Sequence, residues 1–264
     1  MVSALDAVIF GAIQGLLEWL PVSSEGNLVL LMVAYLGLEP GEAMRTAVTL
    51  HIGTGAAALF YYRGEAVKIV LGGDEEHRRL RAHLLAMTLV TGLVGLPIYL
   101  LLDVSIGQGE ALMALTGLAL VATGLIQRGG RGGGSRGSGT LSWVEALGLG
   151  VTQGLAIIPG LSRAGVTTTL LLIRGFRPSE CFRVSFLMSI PASFAAGFGL
   201  MLIEDVAVTQ ASLISMSVAA LTGFAVMGAL IKIVERTSFW KICVGLGALV
   251  LLACAPSLIS LIIG

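Results

Sequence analysis

Six stretches of this chain, residues 46–62, 83–102, 110–127, 181–203, 211–231 and 240–263, carry at most one Asp, Glu, Lys or Arg each. A helix needs roughly 20 apolar residues to cross a hydrocarbon core about 30 Å thick. In lipid the backbone has no water to bond to, so an uncharged run of this length must satisfy its own amides as a helix. The stretches therefore predict an all-α integral membrane protein with six spanning helices. The rest of the sequence agrees: 56% of residues are hydrophobic, 12% are charged and mean hydropathy is +0.94. Equal numbers of acids and bases point away from a nucleic-acid partner. Cys181, Cys243 and Cys254 lie in or beside apolar segments at no metal-ligand spacing and read as packing residues. The N-terminus lacks a basic n-region, so a cleaved signal peptide is not expected.

Four shorter apolar pieces, 5–20, 25–37, 142–158 and 165–173, flank two polar motifs that resemble each other: GAIQGLLEWLPVSSEGN (11–27) and GVTQGLAIIPGLSRAG (150–165). Gln14 answers Gln153, Pro21 answers Pro159 and Ser24 answers Ser162, with a one-residue gap. Pieces this short, joined at Pro and Ser, read as re-entrant pairs that turn back at mid-depth, where protein or water must cover the broken backbone. Related broken segments in two halves of a membrane protein point to a binding site at the repeat interface.

Loop charges fix the layout. Loops 63–82, 128–141 and 232–241 and the stretch 174–183 hold most of the Lys and Arg, whereas 103–110 and 204–210 carry only acids. With six spans and two re-entrant pairs, every basic loop falls on one side, which the positive-inside rule makes cytoplasmic. The single membrane domain then divides into inverted repeats, 1–127 and 142–264, joined by the linker 128–141, whose Gly129–Gly139 run reads as a flexible joint.

Gln14 and Glu18, four apart, share one helical face. A carboxylate in an apolar segment is costly and suits metal binding or proton transfer; the plainer alternative is a solvated Glu18 at the membrane surface near Trp19. Ser23 or Ser24 is a natural N-cap for the helix that follows, and such an N-terminus offers free N–H groups to an anion. Arg163 needs an anionic partner, either a carboxylate or a phosphate, and a structural Arg163–Glu18 pair is one reading. Gly160 and Gly165 let backbone approach a ligand, beside Ser162. His51 is either a packing residue or an acid–base group facing the site. His77 and His83 are expected at the cytoplasmic surface, and Arg78, Arg79 and Arg81 on anionic lipid.

Through GLLEWLPVSSEGN (15–27), HIGTGAA (51–57), QGLAIIPGLSRAGVTTTLLLIRG (153–175) and SFLMSIPASFAAG (185–197), the chain resembles the bacitracin-resistance undecaprenyl-diphosphate phosphatases. The resemblance implies a cell-membrane, multi-pass enzyme of six spans and two re-entrant pairs, with its site open to the outer face. It implies removal of the terminal phosphate from a polyprenyl diphosphate, with Mg²⁺ or Ca²⁺ as cofactor. The family's acidic motif falls on Gln14 and Glu18, which are expected to hold the metal, its serine on Ser24 and its arginine on Arg163. Relatives typically follow PVSS with Thr-Gly-His; here Glu25-Gly26-Asn27 stands instead, and Asn27 cannot act as a base.

The resulting expectation is a site in which Glu18, Ser24, Arg163 and Asn27 act on the phosphate, Ser24 being the candidate nucleophile and a metal-activated water the alternative. Gln14, Ser23, Glu25, Gly160, Ser162 and His51 would bind the substrate. The rival expectation is a polyprenyl-phosphate flippase or anion transporter built on the same mid-membrane site. A homodimer is left open.

Overall fold

The computed structural model describes residues 3–21, 23–101, 134–158, 160–204, 207–236 and 239–263, with scattered positions between 114 and 128. Its helices are α1 (Ala4–Leu17), α2 (Ser24–Leu36), α3 (Pro40–Tyr61), α4 (Arg63–Leu71), α5 (Glu75–Leu101), α6 (Trp143–Leu155), α7 (Arg163–Ile173), α8 (Pro178–Ile203), α9 (Gln210–Arg236) and α10 (Phe239–Ile263), with a 3₁₀ turn at Ser138–Thr140. Glu75–Leu101, Pro178–Ile203 and Gln210–Lys232 are long and apolar enough to cross a membrane. Their outer faces are greasy: Leu93 is 75% exposed and Leu221 74%. Apolar surface on that scale requires lipid around it, and the chain is an all-α membrane protein. Most of the span expected at 110–127 lies outside the described residues, as do the acids Asp103, Glu110 and Asp205; the described positions there, such as Ala114, Leu118, Leu120 and Val121, are helical.

Short polar caps start the broken helices. Ser3 caps α1 and Ser142 caps α6, each in a capping box with an acid three residues on, Asp6 and Glu145. Ser23 caps α2 by accepting from the Gly26 N–H, and Ser162 caps α7 by accepting from the Gly165 N–H. Gly37 and Gly175, at φ 64° and 81°, follow α2 and α7, and Pro40 and Pro178 open α3 and α8. The same punctuation thus recurs with an offset of 139 residues through the caps. This shifts the register read from the prolines: by their capping role Ser162 answers Ser23, not Ser24, and the one-residue gap moves beyond the caps, since Gly37 and Gly175, like Pro40 and Pro178, are 138 apart. The cap is set by the glycine three residues later, whose N–H it meets.

Glycines set the packing. A Cβ on Gly11 would lie 2.4 Å from the Ser215 carbonyl oxygen, and one on Gly15 2.5 Å from Thr222 Oγ1, so α1 lies directly on α9. A Cβ on Gly150 or Gly154 would lie 2.8 or 2.7 Å from the Cβ of Val90 or Val94, so α6 lies in the same way on α5. Lipid supplies no hydrophobic force between helices, and such small-residue seams let dispersion do the work. The first helix of each broken pair, α1 or α6, therefore packs on a long helix from the other half of the chain.

Several expectations change on the basic side. Loop 63–82 contains α4 and the start of α5, because Ile69 packs with Leu80 and Leu187 and gives α4 an apolar anchor. The span expected from residue 46 starts at Pro40 and takes in Glu42 and Arg45. His83 is buried, with its ring edge-on to Trp143 at 4.5 Å, rather than at the surface. Arg78, Arg79 and Arg81 donate to Glu75, the Leu141 carbonyl and the Val70 carbonyl.

The described end of the glycine-rich linker is tied down, not a free joint. Arg136 donates to both Glu145 oxygens at 2.8 and 3.1 Å and stacks 4.1 Å from the Phe176 ring centroid, while Arg174 reaches Glu145 at 3.0 Å. Arg183 joins this knot through Glu65, Glu180 and Ser138. The Glu145 side chain is 4% exposed. Glu145→Ala leaves Arg136 stripped of its partner, a loss of roughly 2–3 kcal/mol given that the arginines reach water. A thermal-shift scan in detergent should show Tm falling by roughly 5–10 °C.

Candidate active site

α1 stops at Leu17 and Glu18 caps it, its N–H bonding the Gln14 carbonyl. The chain then turns and re-enters a helix at Ser24. The matching turn before α7 meets it, with Ser162 Oγ donating to the Leu20 carbonyl at 3.3 Å. The N-termini of α2 and α7 are thereby brought side by side, each contributing about half a positive charge and unpaired N–H groups.

Glu18 sits at the junction and is 5% exposed; Trp19 beside it is fully buried, edge-on to Phe186 at 4.9 Å. That excludes a solvated surface glutamate. Its carboxylate is ringed by donors: Oε2 accepts from Gln14 Nε2 at 2.9 Å and Ser24 Oγ at 2.8 Å, and Oε1 from Arg163 Nη2 at 2.6 Å. His51 Nε2 is 3.4 Å from Oε2. The His51 Nδ1 lies 3.2 Å from the carbonyls of Ala47 and Val48. Carbonyls only accept, so Nδ1 carries a proton and Nε2 turns to the carboxylate. His51 is thus bonded to its own helix on one side and faces the Glu18 cluster on the other. Arg163 is steadied by Nη1 on the Ser185 carbonyl at 3.1 Å and by the Trp19 ring, 5.5 Å away.

Two spaces open from this cluster. A polar one of about 30 Å³ is lined by Glu18, Ser23, Ser24, Glu25, His51, Ser162 and Arg163, with Ala156 and Leu161. That is room for roughly two waters. A larger one of about 350 Å³ shares Glu18, Glu25, His51 and Arg163 and continues between α5 and α8.

The sequence-derived candidates sort as follows. Glu18, Ser23, Ser24, Glu25, His51, Ser162 and Arg163 converge. Gln14, fully buried, stands behind Glu18 and fixes it. Gly160 is buried at φ 95°, shaping the turn, and lies outside both linings. Asn27 does not line either space: its Nδ2 donates to the Ser23 carbonyl at 2.7 Å, bracing the turn instead of facing a ligand. No described contact thus places Asn27 on a phosphate site; its side chain, tilted toward the helix N-terminus, commits its donor to the Ser23 carbonyl. Asn27→His should accordingly change catalytic turnover by less than about threefold, since His51 already stands beside Glu18; steady-state phosphate release tests this. Pro159 lies outside the described residues.

Sequence reasoning missed Ser185, which orients Arg163, and Gln153, Ser189 and Thr91, which line the larger space. The recurrence could have found them: Gln153 is the counterpart of Gln14, and Ser189 of His51.

Among the described residues no three or more His, Cys, Asp or Glu side chains form a metal cluster. Three buried side-chain oxygens nevertheless lack partners among the described residues, Gln14 Oε1, Glu25 Oε1 and Gln153 Oε1, the first two next to the Glu18 cluster. Hard, unpaired oxygens beside a phosphate pocket fit Mg²⁺ or Ca²⁺, which commonly take one or two protein ligands and fill the rest from phosphate and water.

An all-helical membrane protein with a serine, a carboxylate and an arginine between two helix N-termini is built to hold a phosphorylated lipid. The family model described as bacitracin resistance protein BacA matches residues 7–249. The chain is 38% identical over 261 residues to the undecaprenyl-diphosphatase of Methanococcoides burtonii, covering 94% of this chain and 97% of that one. Its identity to the undecaprenyl-diphosphatase of Haloarcula marismortui is 36% (93% and 95% covered), and to that of Pyrobaculum aerophilum 34% (97% and 98%). The chain belongs to the BacA family of bacitracin resistance proteins. These relatives lend no support to the carrier alternative.

Proposed function

We propose that this protein hydrolyses a polyprenyl diphosphate of the undecaprenyl type to the polyprenyl monophosphate and inorganic phosphate. The observation that carries the reading is the Ser24–Glu18–Arg163 cluster at the meeting of two helix N-termini, and the relatives' hydrolase names support it.

Ser24 Oγ, already donating to Glu18, is an activated nucleophile by geometry. It attacks the terminal phosphorus while its proton passes to Glu18. The bond from that phosphorus to the bridging oxygen breaks, and the monophosphate lipid leaves. Glu18 hands that proton on through His51 to solvent and is a carboxylate again when water attacks the serine phosphoester; it takes the water's proton and returns it to Ser24 Oγ as free phosphate departs. His51 stands where it can exchange the proton held on Glu18. Arg163 and the N–H groups of α2 and α7 hold the charge that develops on the phosphoryl oxygens.

A diphosphate entering beside the Glu18 carboxylate brings more negative charge than the Arg163 guanidinium offsets, so further positive charge would help there. Mg²⁺ or Ca²⁺ would be held by Glu18 and Gln14, with Glu25 alongside, and would neutralise phosphoryl oxygens as a Lewis acid. Chelation with EDTA should cut phosphate release at least 100-fold, and Mg²⁺ should restore it.

The basic knot at Glu145 and Arg183 is assigned to the cytoplasm and the site to the outer face of the cell membrane, by the loop-charge rule. The recurring caps and glycine seams support two inverted repeats. The deciding experiment is phosphate release from a polyprenyl diphosphate by purified protein in Mg²⁺. Flux of lipid phosphate across liposomes without phosphate release would overturn the hydrolase reading.

A further inference from the structure

We propose that the slot between α5 and α8 seats the head-proximal isoprene units of the lipid, and that Gly92 and Gly199 set which tails it accepts. The inference rests on the hydrolase reading of the adjoining site. The slot is continuous with that site: it starts at Glu18, His51 and Arg163 and ends among Leu96, Leu200 and Ile203. One end thus suits a phosphate and the other an apolar chain.

Gly92 and Gly199 both line it, and a Cβ built on either meets no heavy atom within 4 Å. Glycine inside a helix weakens it, and is usually explained by close packing or by positive φ. Gly95, one turn on, has such a reason, because its Cβ would lie 3.3 Å from the Gly154 carbonyl oxygen. Gly92 and Gly199 have neither reason among the described residues, since their φ values are not positive and none of those residues approaches them. Their bare backbone leaves width for an occupant from outside the chain. An isoprenoid carries a methyl branch on every fourth carbon and needs that width where a leucine would remove it.

A second observation points to an occupant. Gln153 is 5% exposed and lines the slot near its polar end, yet its Oε1 has no partner. Its Nε2 faces Thr91 Oγ1 at 3.1 Å and the Met188 carbonyl at 3.4 Å; that carbonyl can only accept, which fixes the amide's orientation and leaves Oε1 as the free acceptor. A buried acceptor of this kind requires a donor, which the hydrated head-group end of a lipid in the slot supplies.

The test compares kcat/KM for farnesyl diphosphate with that for dimethylallyl diphosphate, which has a single isoprene unit. Gly92→Leu and Gly199→Leu point into open space and should fold; Gly245→Leu, on α10 and equally uncrowded, is the control. The farnesyl-to-dimethylallyl ratio should fall at least tenfold in both slot variants and stay put in the control. An unchanged ratio in the slot variants, or an equal fall in the control, overturns the slot. If the wild type hydrolyses neither compound, release from a longer polyprenyl diphosphate decides the hydrolase reading separately, and binding of farnesyl monophosphate in nanodiscs decides for the slot: tenfold weaker binding in the two variants upholds it, and equal binding overturns it.

Discussion

Arg163→Lys is expected to lower kcat/KM for polyprenyl diphosphate hydrolysis by about 10³-fold while leaving the protein folded. The guanidinium does two things at once, donating from Nη2 to Glu18 at 2.6 Å and from Nη1 to the Ser185 carbonyl at 3.1 Å. A lysine keeps the charge, so Glu18 is not abandoned in the interior, but a point charge on a flexible stem cannot hold a planar two-point grip on a phosphoryl group. Removing one preorganised donor from a developing oxyanion costs about 10²–10³ in rate, and here the loss includes the geometry of its neighbour. Arg163→Ala is the poorer probe, because an unpaired Glu18 at this depth costs roughly 3–5 kcal/mol and the variant would fail for want of stability. The readout is steady-state phosphate release, with Tm followed in parallel to separate catalysis from folding.

Glu18→Gln is the second large effect, an expected fall in turnover of about 10³-fold, within the range for loss of a positioned base. The substitution preserves shape and an acceptor for Ser24, so hydrogen bonding alone would predict a modest change. What it removes is the group that takes the serine proton and the counter-charge that parks Arg163 before substrate arrives. Retention of more than a tenth of wild-type turnover by this variant would show that Glu18 orients Ser24 without accepting its proton.

The parts of this fold that could be read from the sequence are those dictated locally. Uncharged length gives the spans, Ser, Pro and Gly punctuate the broken pieces, and Gln14 and Glu18 fall on one face by helical periodicity. What escaped depends on contacts between distant residues. His83 looks like a surface histidine among Arg78, Arg79 and Arg81 until Trp143, sixty positions on, covers its ring. Arg136 sits in a glycine run that reads as loose, yet Glu145 and Phe176 anchor it. The misread register has a different origin: proline spacing was a weaker ruler than the Ser-x-x-Gly cap, because the cap is a hydrogen bond and the proline only a place where the helix has ended. Within the site, sequence named Glu18, Ser24 and Arg163 but not their order of contact. That order, with Glu18 as hub and Asn27 turned away, follows from how α1, α2 and α7 meet.

The most direct measurement is a double-variant cycle on phosphate release from a polyprenyl diphosphate, using Glu18→Gln, Arg163→Lys and the two combined. If both side chains serve one phosphate, the combined variant is hardly slower than either single one, a coupling of about 2 kcal/mol or more. Losses that simply multiply, or a wild type that releases no phosphate, would contradict a shared head-group site at the meeting point of the two turns.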